Sequence, residues 1–192
     1  MADSSTGGYL APSGAPPLDD QALDRFFHDL FTGVTGLDPT LVRPRWQAEP
    51  GNMPPRAATW VAQGVTEMRD DGVPWQWFDE TTQAFVLCRN QLIANRLSFY
   101  GPAAGATEAL LRDGLGLDQN REAMNAQGIA LVRVGNPRAM PLLLNEQWVR
   151  RIDVEITFRR LISRTYPVLS LQSGEVQLET DTGLVDTINI IQ

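Results

Sequence analysis

Apolar positions in residues 18–31, LDDQALDRFFHDLF, recur at spacings of three and four, so that Leu23, Phe26, Phe27, Leu30 and Phe31 fall on one stripe. That spacing predicts an amphipathic helix, started by Asp19 or Asp20 and closed by Gly33 and Gly36. Further on the period shortens to two. LVRPR reads as a short extended piece entering a proline-rich loop, and RAATWVAQGVTEM as a strand that ends before the turn RDDGVP. The segment WQWFDETTQAFVLCRNQLIANRLSFYG holds two alternating runs or one long bent strand. Phe85, Val86 or Leu87, and later Leu97 and Phe99, are available to a core. Its polar members Arg89, Gln91, Asn95 and Arg96 point to faces that meet solvent or another chain.

At NRLSFYGPAAGATEALLRDGL the texture turns abruptly from strand to helix. Gly101–Pro102 ends the ladder because proline has no N–H to donate, and Pro102 then suits the first turn of a helix. The helix over Ala103–Arg112 is expected to turn Ala106, Ala109 and Leu110 inward. After DGLGLDQ, a short helix DQNREAMNAQ leads through Gly128 into the strand IALVRVG, and NPRAMPLLLNEQ reads as loop or irregular strand. WVRRIDVEITFRRLISR carries the clearest alternation: Trp148, Ile152, Val154, Ile156 and Phe158 against Arg151, Asp153, Glu155, Thr157 and Arg159. Its seventeen residues exceed the usual strand length, so it is expected to project beyond a compact sheet. The chain ends in an apolar segment, Ile188–Ile191, and shows no internal repeat.

These patterns divide the 192 residues into a Gly/Ser/Pro/Ala-rich flexible arm over 1–17, one domain over 18–170, and a C-terminal extension over 171–192. The first residues lack a basic start and an apolar run, so no secretory signal is expected there, and no run approaches the length of a membrane span. Acidic residues outnumber basic ones, 23 to 16, for a net charge of −7, which argues against broad nucleic-acid affinity. Every basic residue is arginine. Codon usage accounts for that; so would bidentate pairing at interfaces, which a guanidinium fork suits better than an ammonium.

Catalytic vocabulary is sparse. With one histidine, His28, and one cysteine, Cys88, no zinc site of the usual N/S type can be assembled. His28 lies four residues after Asp24 beside the apolar stripe, which favours a local pair over catalysis, and Cys88 sits within an alternating run as a small strand residue. The GLG at 114–116 follows a helix rather than a strand, so it is no dinucleotide loop. Asp70–Asp71 and Asp79–Glu80 read as solvated turn carboxylates before they read as acid–base pairs. Neither an enzymatic activity nor a cofactor is expected.

What remains is the charged strand. Arg151, Asp153, Glu155 and Arg159 share one face, with both signs alternating. Two readings stand: a solvated sheet face, or a salt-bridged surface toward a neighbouring subunit that fixes orientation more than it adds affinity. Arg96, Arg160 and the apolar Ile188 and Ile190 join the candidate contact set. Five tryptophans fit either an interface or a core.

The order of elements resembles the neck or tail-terminator (head–tail joining) proteins of long-tailed bacteriophages. The first helix and RAATWVAQGV are followed by RNQLIANRLSFYGPAAGATEALLRDGL, a short helix, GIALVRVG, MPLLLNEQWVRRIDVEITFRR and YPVL. LSFYGPAA and LLNEQWVRRIDVEITF are the most specific pieces, and the resemblance covers residues 18–170. It implies an α+β fold, a mixed or largely antiparallel sheet flanked by two to three helices, in a ring-forming subunit. It further implies a hexamer that caps the head-proximal end of the tail tube, ends tail polymerisation and joins tail to head, in the virion and, during assembly, in host cytoplasm. The implied partners are other copies of itself, the tail tube protein, the head-side connector and, in a contractile tail, the last sheath ring. Genomic DNA would pass through the lumen without specific binding, and no membrane is involved. Alternatives are a neighbouring neck protein, such as a head-completion adaptor or stopper, and a monomeric ligand-binding or enzyme domain.

Overall fold

The computed structural model describes residues 8–46, 53–144, 146–168, 173–179 and 185–191. The fold is α+β, a mixed sheet with three helices, as expected. Its helices are α1 (Asp20–Thr35), α2 (Ala104–Gly114) and α3 (Asp118–Asn125). Its strands are β1 (Val42–Pro44), β2 (Trp60–Asp70), β3 (Trp75–Asp79), β4 (Ala84–Tyr100), β5 (Ile129–Val134), β6 (Arg138–Ala139), β7 (Leu142–Leu144), β8 (Gln147–Val149), β9 (Arg151–Tyr166), β10 (Ser173–Glu179) and β11 (Val185–Ile191). The chain forms a larger unit, Pro16–Trp75 with Cys88–Ser163, and a smaller one from the described parts of Met1–Ala15, Gln76–Leu87 and Arg164–Gln192.

The larger unit is built on the strand order β1-β2-β4-β9-β5. β1 runs parallel to β2, β2 antiparallel to β4, and β5 and then β6 antiparallel to β9. One sheet face is buried because apolar residues alternate onto it: Val61 from β2, Ile93, Leu97 and Phe99 from β4, and Val154, Ile156 and Phe158 from β9. Leu23, Phe27 and Phe31 of α1 close over that face, with the Phe27 ring 4.9 Å from Phe158. Ala104 and Leu111 of α2 and Met124 of α3 complete the core. Gly36 ends α1 in a left-handed conformation, donating its N–H to the Thr32 carbonyl.

Several expectations change in the structure. The inner face of α2 is Ala104, Thr107, Glu108 and Leu111, while Ala106, Ala109 and Leu110 face outward. Glu108 can turn inward because Arg112, one turn on, meets it at 2.7 Å and also donates to the Gly135 carbonyl at 2.8 Å. Asn95 and Gln91 are buried rather than presented to solvent. Asn95 accepts from the Gly64 N–H and donates to Gln63, and Gln91 accepts from Arg160. Trp148 does not belong to the long strand; it lies in the separate β7–β8 hairpin and is 70% exposed. Trp46, Trp75 and Trp77 are also exposed, and Trp60 stacks on Tyr100 with centroids 4.2 Å apart.

The strand–helix joint has a steric cause. Gly101 adopts φ +98°, and a β-carbon there would stand 2.3 Å from the Ala58 carbonyl oxygen, so only glycine lets the chain turn against that backbone.

In the smaller unit, Asp79 closes the β3–β4 turn by accepting from the Thr81 N–H and the Thr82 hydroxyl, and Phe78 meets Phe85 edge-on. Ser13, within the segment read as a flexible arm, donates its N–H to the Thr165 carbonyl at 2.7 Å. β10 and β11 form an antiparallel hairpin in which Val176 pairs with Ile188 and Gly174 with Ile190. The side chains of Ile188 and Ile190 lie outside the described residues.

Candidate interaction surface

The face of the sheet opposite the core is covered by none of the three helices. Register defines its rows: Ala62 beside Ser98, Gly64 beside Arg96, Glu67 beside Ala94 and Arg69 beside Leu92 on β2 and β4. On the other edge of β9, Arg159 pairs with Ala130, Thr157 with Arg133, and Asp153 with Arg138. Two bulges decide which residues appear there. The register shift between Val65 and Glu67 brings Glu67 opposite Ala94, and that between Leu131 and Arg133 brings Arg133, not Val132, opposite Thr157.

At one end of this face arginines gather around a single carboxylate. Arg151 grips Asp153 through Nε and Nη2, both at 2.7 Å, and its guanidinium lies 5.6 Å from the Tyr100 ring centroid. Arg96 stands 3.5 Å from the same carboxylate. Arg45 reaches in from the end of β1, donating to the Ser98 hydroxyl at 2.7 Å, and its buried Nε has no partner among the described residues. Trp46 follows across Gly64, where a β-carbon would meet the indole at 2.7 Å, so glycine opens the seat for that exposed ring. Burial pushes the Asp153 carboxyl up, but the hydrogen bonds from Arg151 and Ser98 and the charges of Arg151 and Arg96 outweigh it and hold the pKa below the usual carboxylate range. Burial and the neighbouring cations lower the Arg45 guanidinium, whereas Asp153 raises Arg151. A pocket of about 190 Å³ beside this cluster is lined by Arg96, Arg133, Arg138, Asp153 and Glu155. Such an arrangement is able to recognise charge and hold register; it carries no nucleophile–base pair.

The sequence profile of the phage neck terminator protein family matches residues 21–182, most of the chain. The chain belongs to the phage neck terminator family. Membership gives it a structural role at the neck of the virion. Among curated proteins none matches it.

In this neck terminator the residues singled out from sequence separate into four groups. Arg151, Asp153 and Arg96 come together in the cluster just described. Glu155 and Arg159 are exposed on the same face, Arg159 bonding Asp71 at 3.1 Å. Arg160 turns to the core side, 5% exposed, and donates to Gln91, to the Leu18 carbonyl and to Asp19. Asp19, one of the two aspartates expected to start α1, stands at its N-cap without a side-chain capping bond and serves Arg160. Ile188 and Ile190 sit on β11 by backbone only.

Other members of the surface were not singled out from sequence. Arg45, Ser98, Arg133 and Arg138 reach it through strand register and bulges, which no local pattern announces. The remaining candidates for chemistry have structural partners. Asp70 pairs with Arg89, Cys88 is buried, and His28 bonds Asp29 and the Pro39 carbonyl rather than Asp24. The Asp29 hydrogen bond raises the His28 pKa against a smaller desolvation effect.

Proposed function

We propose that this neck terminator caps the head-proximal end of a phage tail tube as a hexameric ring, stops tube polymerisation and offers a docking face to the head-side connector. The observation that carries the reading is the family match over residues 21–182, joined to a charged sheet face that no helix covers. A ring needs heterologous contacts, one surface of a subunit on a different surface of the next, and interspersed charges set their register. Arg96, Glu155 and Arg159 are the exposed part of that contact, and Ile188 and Ile190, on β11, stay further candidates for it. Arg151, Asp153 and Arg160 support it from within the subunit, where their bonds hold the strand and α1 in place.

A net charge of −7 lets genomic DNA pass the ring without retention. The arginine-rich face is therefore turned toward protein rather than toward the lumen. In a contractile tail the same ring touches the last sheath layer. The protein acts in the virion and assembles in host cytoplasm.

Electron microscopy of purified protein mixed with preassembled tail tubes, with native mass alongside, tests the reading. Density at one tube end only, with six copies, is the expected result. Binding to the head-side connector without tube binding would replace it with the head-completion adaptor.

A further inference from the structure

The uncovered face is locally cationic in an acidic protein. Around the pocket at its β6 end stand Arg96, Arg133, Arg138 and Arg151, with Arg45 behind them, against the carboxylates of Asp153 and Glu155. The compensating charge lies elsewhere in the chain. No basic residue follows Arg164, while Glu175, Glu179, Asp181 and Asp186 do.

The two regions also match in spacing. Arg138 pairs with Asp153 and Arg133 with Thr157, so the two arginines stand four residues apart along β9, a span of about 13 Å. Glu175 and Glu179 are likewise four residues apart on β10 and share a strand face by alternation, again spanning about 13 Å. By register Glu175, Gln177 and Glu179 stand on one side of the hairpin with Thr187 and Asn189, and Val176, Leu178, Ile188 and Ile190 on the other, which Asp186 shares. A two-stranded hairpin of this kind is marginal alone and gains stability from a surface to lie on.

We propose that the face formed by β5, β6 and β9 receives the β10–β11 hairpin of a second copy of this chain, with Glu175 and Glu179 set against Arg133 and Arg138. The contact is heterologous, hairpin to sheet face, so it propagates around a ring. It rests on the self-association put forward above and names the two surfaces that meet. Neither arginine belongs to the Arg151–Asp153 cluster bonds, so both can be reversed without opening that network.

Native mass spectrometry and light scattering on the full chain, at low and high ionic strength, test it with three variants: R133E/R138E, E175R/E179R, and all four together. Each double reversal is expected to weaken self-association by at least about tenfold, the four-fold variant to restore most of it, and salt to weaken the wild type. Wild-type assembly that both double reversals leave unchanged overturns this contact while self-association stands. A wild type that stays monomeric throughout overturns both. Reversals that lower the melting temperature of a monomer place the hairpin on its own chain and overturn the second-copy contact.

Discussion

Arg151 and Asp153, two positions apart on β9, are joined by two parallel hydrogen bonds of 2.7 Å, and Arg96 approaches the same carboxylate. The Asp153 side chain is almost fully buried, which disfavours its charge, and these partners outweigh that cost. Its folded pKa is lowered, while in the unfolded chain an aspartate titrates near about 3.9. The contribution is therefore complete above about pH 4 and is lost as pH falls through the folded value. Asp153→Asn should cost about 2–4 kcal/mol at neutral pH, because Arg151 loses its bidentate partner. Urea unfolding from neutral to strongly acid pH checks both points: the variant should show a shallower acid loss than the wild type.

Arg160 makes the corresponding link on the core side. Its three donors join β9 to Gln91 on β4 and to Leu18 and Asp19 at the start of α1. Arg160→Ala should destabilise by about 3 kcal/mol, and Arg160→Lys by less, since an ammonium keeps the charge but cannot span three acceptors in a plane. Chemical denaturation with α1 helicity followed by circular dichroism reads the difference. Equal losses in the two variants would show that the fork geometry is unimportant.

The joint after β4 gives a sharper contrast. Gly101→Ala must place a β-carbon against the Ala58 carbonyl and also hold φ +98°, and should cost about 3 kcal/mol or more. Gly128 is also left-handed, at φ +69°, but has open space where its β-carbon would go, so Gly128→Ala should cost only about 1 kcal/mol. Melting temperatures of the two variants separate steric contact from backbone strain.

Local periodicity carried much of this fold. The stripe Leu23, Phe27, Phe31 and the alternation Val154, Ile156, Phe158 are each set by one element meeting one core, and both are buried where the spacing puts them. On α2 the alanine and leucine spacing pointed to the wrong face: the inner one carries Glu108, which the Arg112 pair allows inside. Asn95 misled for the same reason: its amide is matched by Gly64 and Gln63 on another strand. The candidate surface was half legible. Arg151, Asp153, Glu155 and Arg159 follow from strand parity, whereas Arg45, Arg133 and Arg138 depend on pairings and bulges between distant segments.

The α2 correction can be tested directly. Leu111 is 1% exposed and Leu110 58%. Leu111→Ala should lose about 3 kcal/mol, and Leu110→Ala should stay within about 0.5 kcal/mol of wild type. The reverse order in urea unfolding would restore the face expected from the alanine spacing.

Glu155 and Arg159 distinguish a contact surface from a merely solvated one. Both are exposed, and the Arg159–Asp71 pair is itself open to solvent, so it contributes only about 0–1 kcal/mol to folding. A double variant, Glu155→Arg with Arg159→Glu, preserves the net charge and should melt within a few degrees of wild type. If this face meets a neighbouring protein, exchanging the two signs juxtaposes like charges across the contact, and assembly should fall while folding persists. Tube-end occupancy counted by electron microscopy, beside a melting curve for the same preparation, reads the two effects separately. Full occupancy with an unchanged melt would mean that this part of the sheet faces only water, and the contact would then have to be sought at the β6 end.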